Sequence, residues 1–179
     1  MLMRIATALL LAVPVVTAQT KPLAIVNGQV IDMRSERPYR ATIIIRAGRV
    51  EQVAAAARIP NDADTLDASG TWIIPGLWDM HAHIWSRTLL FPTYIAHGIT
   101  GVRDMGSSLP LWIAWRDSVA RGLIDGPHAI VSGVIVDGLS PFNNMYVQVK
   151  TADEGRALVR DLKSRGADFI KVYDRLTVD

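Results

Sequence analysis

From Pro75 onward the chain switches between two rhythms, and that switching narrows the folds open to it. Apolar, strand-like runs cover 77–83, 99–105, 128–136 and 169–173, separated by helix-like runs at 89–97, 109–123 and 151–165. Strand and helix in alternation predict parallel βαβ units. Strands apolar almost throughout fit a sheet with helices on both faces, or on one face with a barrel core on the other. Local signals mark the helix ends. Gly98 and Gly166 stand where a C-cap favours a left-handed residue, and Thr151 with Glu154 forms a capping box. Residues 137–150 read as a long loop.

Before Pro75 the pattern is different. Short β-branched runs such as Ile43-Ile44-Ile45 alternate with turn signals at Asn27-Gly28, Ala47-Gly48-Arg49 and Asp67–Gly70. Residues 22–74 are predicted to form antiparallel strands, with Asn27-Gly28 as a hairpin turn.

The first residues form a third pattern. Arg4 precedes a 12-residue apolar run, Ile5–Val16, broken by Pro14 and followed by the small residues Thr17 and Ala18. These are the three parts of a secretory signal, here 1–18 with a cut after Ala18. The run is shorter than the roughly 20 residues that span a bilayer, which argues against an anchor or stable membrane span. The mature protein is expected to be secreted or periplasmic. The formal net charge is +2, and removing the leader takes away one Arg, leaving 18 − 17 = +1. With Lys and Arg scattered rather than clustered, nucleic acid is not an expected partner. The absence of cysteine excludes disulfides, thiolate metal sites and cysteine nucleophiles.

The chemistry concentrates in Pro75-Gly76-Leu77-Trp78-Asp79-Met80-His81-Ala82-His83. On a regular strand Asp79, His81 and His83 share one face. Two imidazoles so spaced can converge on a cation, with Asp79 supporting them from behind. His-x-His alone is weak, and the residues by themselves leave a satisfied histidine pair and a ligand pair both open. His97 and His128 stand alone near element ends and read as structural. The tryptophans read as packing, although Trp85, just after the pair, is placed to line a pocket.

The segment WIIPGLWDMHAH resembles the motif that opens the barrel of the amidohydrolase superfamily. IVNGQVID and IIIRAGRVEQV resemble that superfamily's N-terminal sandwich strands. HGITGVRDMG (His97–Gly106) resembles the segment after the first barrel helix. GADFIKVYD (Gly166–Asp174) resembles the fourth strand of the branch with imidazolonepropionase-like and Xaa-Pro-dipeptidase-like members. The order of these four segments also matches.

The resemblance implies an α/β chain: a small β-sandwich part over 19–74, then over 75–179 the first half of a TIM-like (β/α)8 barrel, about four βα units. It implies that His81 and His83 bind a divalent metal, one or two zinc ions, and that Lys171 is a carbamylated lysine bridging two metals. Lys171 points away from the face of Ile170 and Val172, and burial would favour the neutral amine that carbamylation needs. The rival, a one-metal deaminase-like member, has no use for such a bridge. Asp104 either supports the site or pairs with Arg103; the solvated pair is the expectation here.

The implied activity is hydrolysis of an amide, peptide or cyclic amide C–N bond in a small-molecule or peptide substrate by metal-activated water. The general base and remaining ligands would lie beyond Asp179. A chain that stops after four strands is expected to be a fragment or truncated product, inactive alone, that self-associates through exposed barrel edges. The alternative is a non-catalytic fragment or interaction module with a relic His-x-His. The segment Ser140–Tyr146 is a candidate pocket wall, and the substrate itself is not legible.

Overall fold

The computed structural model describes residues 21–138 and 143–177. The predicted leader, residues 1–18, and the middle of the predicted loop, 139–142, lie outside the described residues. Among the described residues no helix is long and apolar enough to cross a membrane. The chain divides after Pro75 into two compact units.

The described part of the first unit contains strands and no helix. Its strands are β1 (Leu23–Val26), β2 (Gln29–Val30), β3 (Tyr39–Arg40), β4 (Thr42–Arg46), β5 (Arg49–Ala54), β6 (Asp64–Asp67) and β7 (Trp72–Ile73). One sheet has the order β5-β4-β1-β6 and the other β3-β2-β7. Val30, Ala41 and Ile43 form a small core between partly buried Ile25, Tyr39, Ile45 and Ile73. The β4–β5 hairpin turns at Ala47 and Gly48, with φ of 49° and 73°. Positive φ at both positions gives the twist a two-residue hairpin needs.

Two expectations fail in this unit. The strands are not all antiparallel, since β1–β6 and β2–β7 are parallel pairs. Asn27-Gly28 is not a hairpin either, because β1 and β2 belong to different sheets. Asn27 takes a positive φ of 65°, but Gly28 is used for space: a Cβ there would overlap the Ile73 side chain. Close approach of two backbones, rather than chain reversal, accounts for this glycine.

The second unit contains β8 (Leu77–Ala82), α1 (Arg87–Ala96), β9 (Ile99–Asp104), α2 (Leu109–Ala120), β10 (His128–Val131), β11 (Ile135–Asp137), β12 (Tyr146–Gln148), α3 (Ala152–Ser164) and β13 (Lys171–Val172). Every strand pairing in it is parallel, in the orders β10-β9-β8 and β12-β11-β13. Mixed α/β structure with helices between parallel strands is therefore present. The core joins Ala82, Val102, Val131 and Val136 from the strands to Phe91, Leu109, Trp112 and Leu162 from the helices.

The helix limits follow the sequence signals closely. The Glu154 N–H donates to Thr151 Oγ1 at 3.2 Å. The Glu154 carboxylate accepts the Lys150 N–H at 2.7 Å, so the capping box closes one residue before the cap. The predicted third strand is interrupted at Ser132–Val134, where Gly133 adopts φ 75° against Leu109. A short strand, β12, occupies part of the predicted loop.

Candidate functional site

A register shift in β8 decides which side chains the site contains. Asp79 pairs with Val102, but Ala82 pairs with Asp104, so three steps along β8 match two along β9. One extra residue in a strand reverses the faces beyond it. Asp79 and Ala82 thus face the same way, and His81 and His83 face the other. The expectation that Asp79 shares a face with the histidines is corrected by this bulge.

Ala82 and Ile84, 2% and 5% exposed, lock β8 into the core. Alternation about them turns both imidazoles away from that core. The ring centroids are 5.3 Å apart at an interplanar angle of 56°. A zinc–nitrogen bond near 2.1 Å plus about 1.1 Å to the centroid makes an arm of about 3.2 Å. Two such arms at a tetrahedral angle separate the centroids by about 5.2 Å. The observed centroid separation matches that value. Among the described residues, no group of three or more His, Cys, Asp or Glu side chains gathers to complete a ligand set.

Asp79 acts on His81 through the backbone. Its Oδ1 accepts the His81 N–H at 3.0 Å, and its Oδ2 accepts the Tyr94 hydroxyl at 2.8 Å. Burial, then this hydrogen bond, pushes the Tyr94 hydroxyl up to about 12.

Asp104 does not pair with Arg103. Arg103 Nε donates to the Met80 carbonyl at 2.7 Å and its guanidinium lies 5.9 Å from the Phe169 ring centroid. Neighbours on a strand point to opposite faces, so Asp104 is instead fully buried, at 0% exposure. Its Oδ2 accepts the Ser107 hydroxyl at 2.5 Å, and Oδ1 has no partner among the described residues. Burial raises the Asp104 carboxyl above the usual carboxylate range, while Ser107, the Gly106 N–H and the charge of nearby His83 pull it back.

His83 Nδ1 lies 3.3 Å from the Gly106 carbonyl. Gly106, Ser107 and Tyr94 were not legible as site residues; the only trace is a glycine closing the strand at Arg103-Asp104-Met105-Gly106.

Lys171 is half-buried on β13, with Nζ 5.6 Å from the Tyr173 ring centroid. It makes no hydrogen bond or ion pair with a described residue. Across the ladder it pairs with Ile135, while Val172 pairs with core residue Val136. Lys171 and Ile135 therefore share the face turned from that core. The Ile135 side chain meets Gly106, whose carbonyl faces His83. One packed row thus runs from the imidazole pair toward the lysine.

A cavity of about 530 Å³ has His83 and Trp85 in its wall with Leu109, Trp112, Val134 and Met145. Within the candidate wall Ser140–Tyr146, Asn144 and Met145 line this cavity. His97 Nδ1 stays at its own helix end, 2.8 Å from the Thr93 carbonyl.

No protein-family model matches the chain. Over 62 residues it is 40% identical to a dihydroorotase of Anaeromyxobacter sp. (strain K), covering 35% of this chain and 14% of that protein. It is 38% identical over 66 residues to an imidazolonepropionase of Bradyrhizobium diazoefficiens, covering 32% of this chain and 16% of that protein. The crystal structure of a Bifidobacterium longum protein assigned as a prolidase superposes with a TM-score of 0.77 at 26% identity, over 89% of this chain and 42% of that one. These homologues indicate the amidohydrolase superfamily. The chain's resemblance in sequence and its likeness in structure agree. The chain spans less than half the length of each of these three proteins. Its relatives are hydrolases of C–N bonds.

Proposed function

We propose that the protein carrying this chain hydrolyses an amide, peptide or cyclic amide C–N bond with water activated by one or two divalent ions, zinc foremost. The observation that carries this reading is the His81–His83 separation of 5.3 Å, matched to two ligands of one tetrahedral ion. A bound divalent ion supplies a water whose pKa falls toward 7 and a Lewis acid for the scissile carbonyl. His81 and His83 would hold it. Asp79 fixes the backbone that carries His81. Lys171 is the candidate for a carbamylated bridge, and its place on the row through Ile135 and Gly106 supports that role. The general base is unassigned. The cavity beside His83, mainly apolar, favours a small-molecule or peptide substrate with an apolar group next to the bond that breaks.

The same reading takes residues 75–179 as the first half of a (β/α)8 barrel, 19–74 as part of a β-sandwich, and 1–18 as a leader cleaved on export after Ala18. Trp78 and Met80, 46% and 47% exposed, are apolar side chains that a completed barrel would cover, and they are where copies of this chain would associate.

The test is metal content. The full chain, exchanged into zinc-containing buffer and then dialysed, is expected to keep stoichiometric zinc. His81→Ala with His83→Ala should lose it, and Lys171→Ala should lose any second equivalent. Equal zinc in the double variant and the parent would refute the reading and leave a non-catalytic module.

A further inference from the structure

We propose that Asp104 is a positioning residue that fixes the Gly106 peptide and, through the Gly106 carbonyl, sets the tautomer and direction of the His83 ring. This rests on the reading of His83 as a metal-facing residue.

The segment from Asp104 to Ser107 is held from several sides. The Met105 N–H donates to the Ala82 carbonyl at 2.9 Å, tying it to the histidine strand. The Ser107 N–H donates to the Gly133 carbonyl at 2.9 Å, tying it to the next one. Inside this turn the buried Asp104 carboxylate takes the Ser107 hydroxyl and faces the Gly106 N–H. Gly106 has φ 143°, a region open to glycine, and an added Cβ would stand 2.6 Å from the Ile135 side chain. The Gly106–Ser107 peptide, which carries the Gly106 carbonyl, is therefore held by the Ser107 N–H on Gly133, by the Ser107 hydroxyl on Asp104 and by the lack of space beside Ile135.

Its carbonyl oxygen accepts only. At 3.3 Å from His83 Nδ1 it selects the imidazole with its proton on Nδ1. Nε2 then keeps its lone pair and is the nitrogen free to bind a cation. Metal-ligating histidines depend on such a partner for orientation and basicity. This role also accounts for a costly feature. A carboxylate with one oxygen unpartnered among the described residues is expensive to bury. Alanine at this position could not hold the Ser107 hydroxyl; asparagine keeps one acceptor oxygen and tests how much of the task needs a carboxylate.

The experiment is long-range ¹H–¹⁵N NMR of the imidazole nitrogens in the metal-free full chain, with zinc affinity measured in parallel by chelator competition. The wild-type chain is expected to show His83 with the proton on Nδ1. Ser107→Ala and Asp104→Ala should lower the ratio of that tautomer to the Nε2–H form several-fold, with Asp104→Asn restoring part of it. Zinc affinity should fall about 10-fold in Ser107→Ala. If Asp104→Ala does not fold, Ser107→Ala and Asp104→Asn decide. A wild-type ring protonated on Nε2, or a tautomer ratio unchanged in Ser107→Ala and Asp104→Asn, overturns the proposal even if zinc binds. A correct tautomer without zinc binding would instead defeat the hydrolase reading and leave this inference standing.

Discussion

Tyr94 donates its hydroxyl to Asp79 at 2.8 Å, joining helix α1 to the strand that carries the histidine pair. The other Asp79 oxygen holds the His81 N–H, so the helix steadies His81 through one carboxylate. Tyr94→Phe should cost about 1.5–3 kcal/mol, the range for a hydrogen bond to a charged group. Denaturant unfolding measures it. The Tyr94 pKa, raised to about 12, sets the sign of a pH effect. The contribution is complete below the ordinary tyrosine pKa near 10 and is lost as pH rises through about 12. Ultraviolet titration should therefore show a tyrosine ionising near 12, and that step should vanish in Tyr94→Phe while the raised Tyr39 remains.

Phe91 is 1% exposed and sits 6.1 Å and 5.8 Å, centroid to centroid, from Trp112 and Trp115. Gly126 lies against this ring, where an added Cβ would overlap it. Two indoles pack against the same ring. Gly126→Ala is expected to cost about 1–3 kcal/mol by overpacking, and Phe91→Ala about 3–5 kcal/mol by leaving a cavity. A Gly126→Ala protein as stable as the parent in denaturant would show that this contact is looser than described.

Asp32 in the first unit accepts the backbone N–H groups of Arg34 and Ser35 and the Tyr39 hydroxyl. Those bonds, led by the one from Ser35, hold its pKa down at about 2, below the ordinary 3.8. A lowered acid pKa stabilises the fold above the unfolded value, and the effect is lost as pH falls through the folded value. Asp32→Asn should be less stable than the parent at neutral pH, with the gap closing between about pH 4 and pH 2. Parallel acid-unfolding curves at all pH values would contradict this.

Much of the second unit was legible because its signals are local. Gly98 and Gly166 adopt positive φ after α1 and α3, and Thr151 caps α3 through its own side chain. The split of the third strand at Gly133 was not legible. It depends on Leu109 arriving from α2, a contact no short window of sequence contains. The same holds for Gly28. An Asn-Gly step commonly makes a hairpin, but Ile73 packs against this glycine and the chain crosses between sheets.

At the candidate site the division is sharper. The sequence by itself determined that two imidazoles stand one residue apart on an apolar strand, because alternation about Ala82 needs no partner to be true. Only the tertiary structure decided what surrounds them. Strand pairing put an extra residue between Asp79 and Ala82, turning Asp79 toward Tyr94, and the packing of β9 buried Asp104 beside Ser107. The physical reason is that a side chain's face is set by hydrogen-bond register with a neighbouring strand, and register is a property of two segments far apart in the chain.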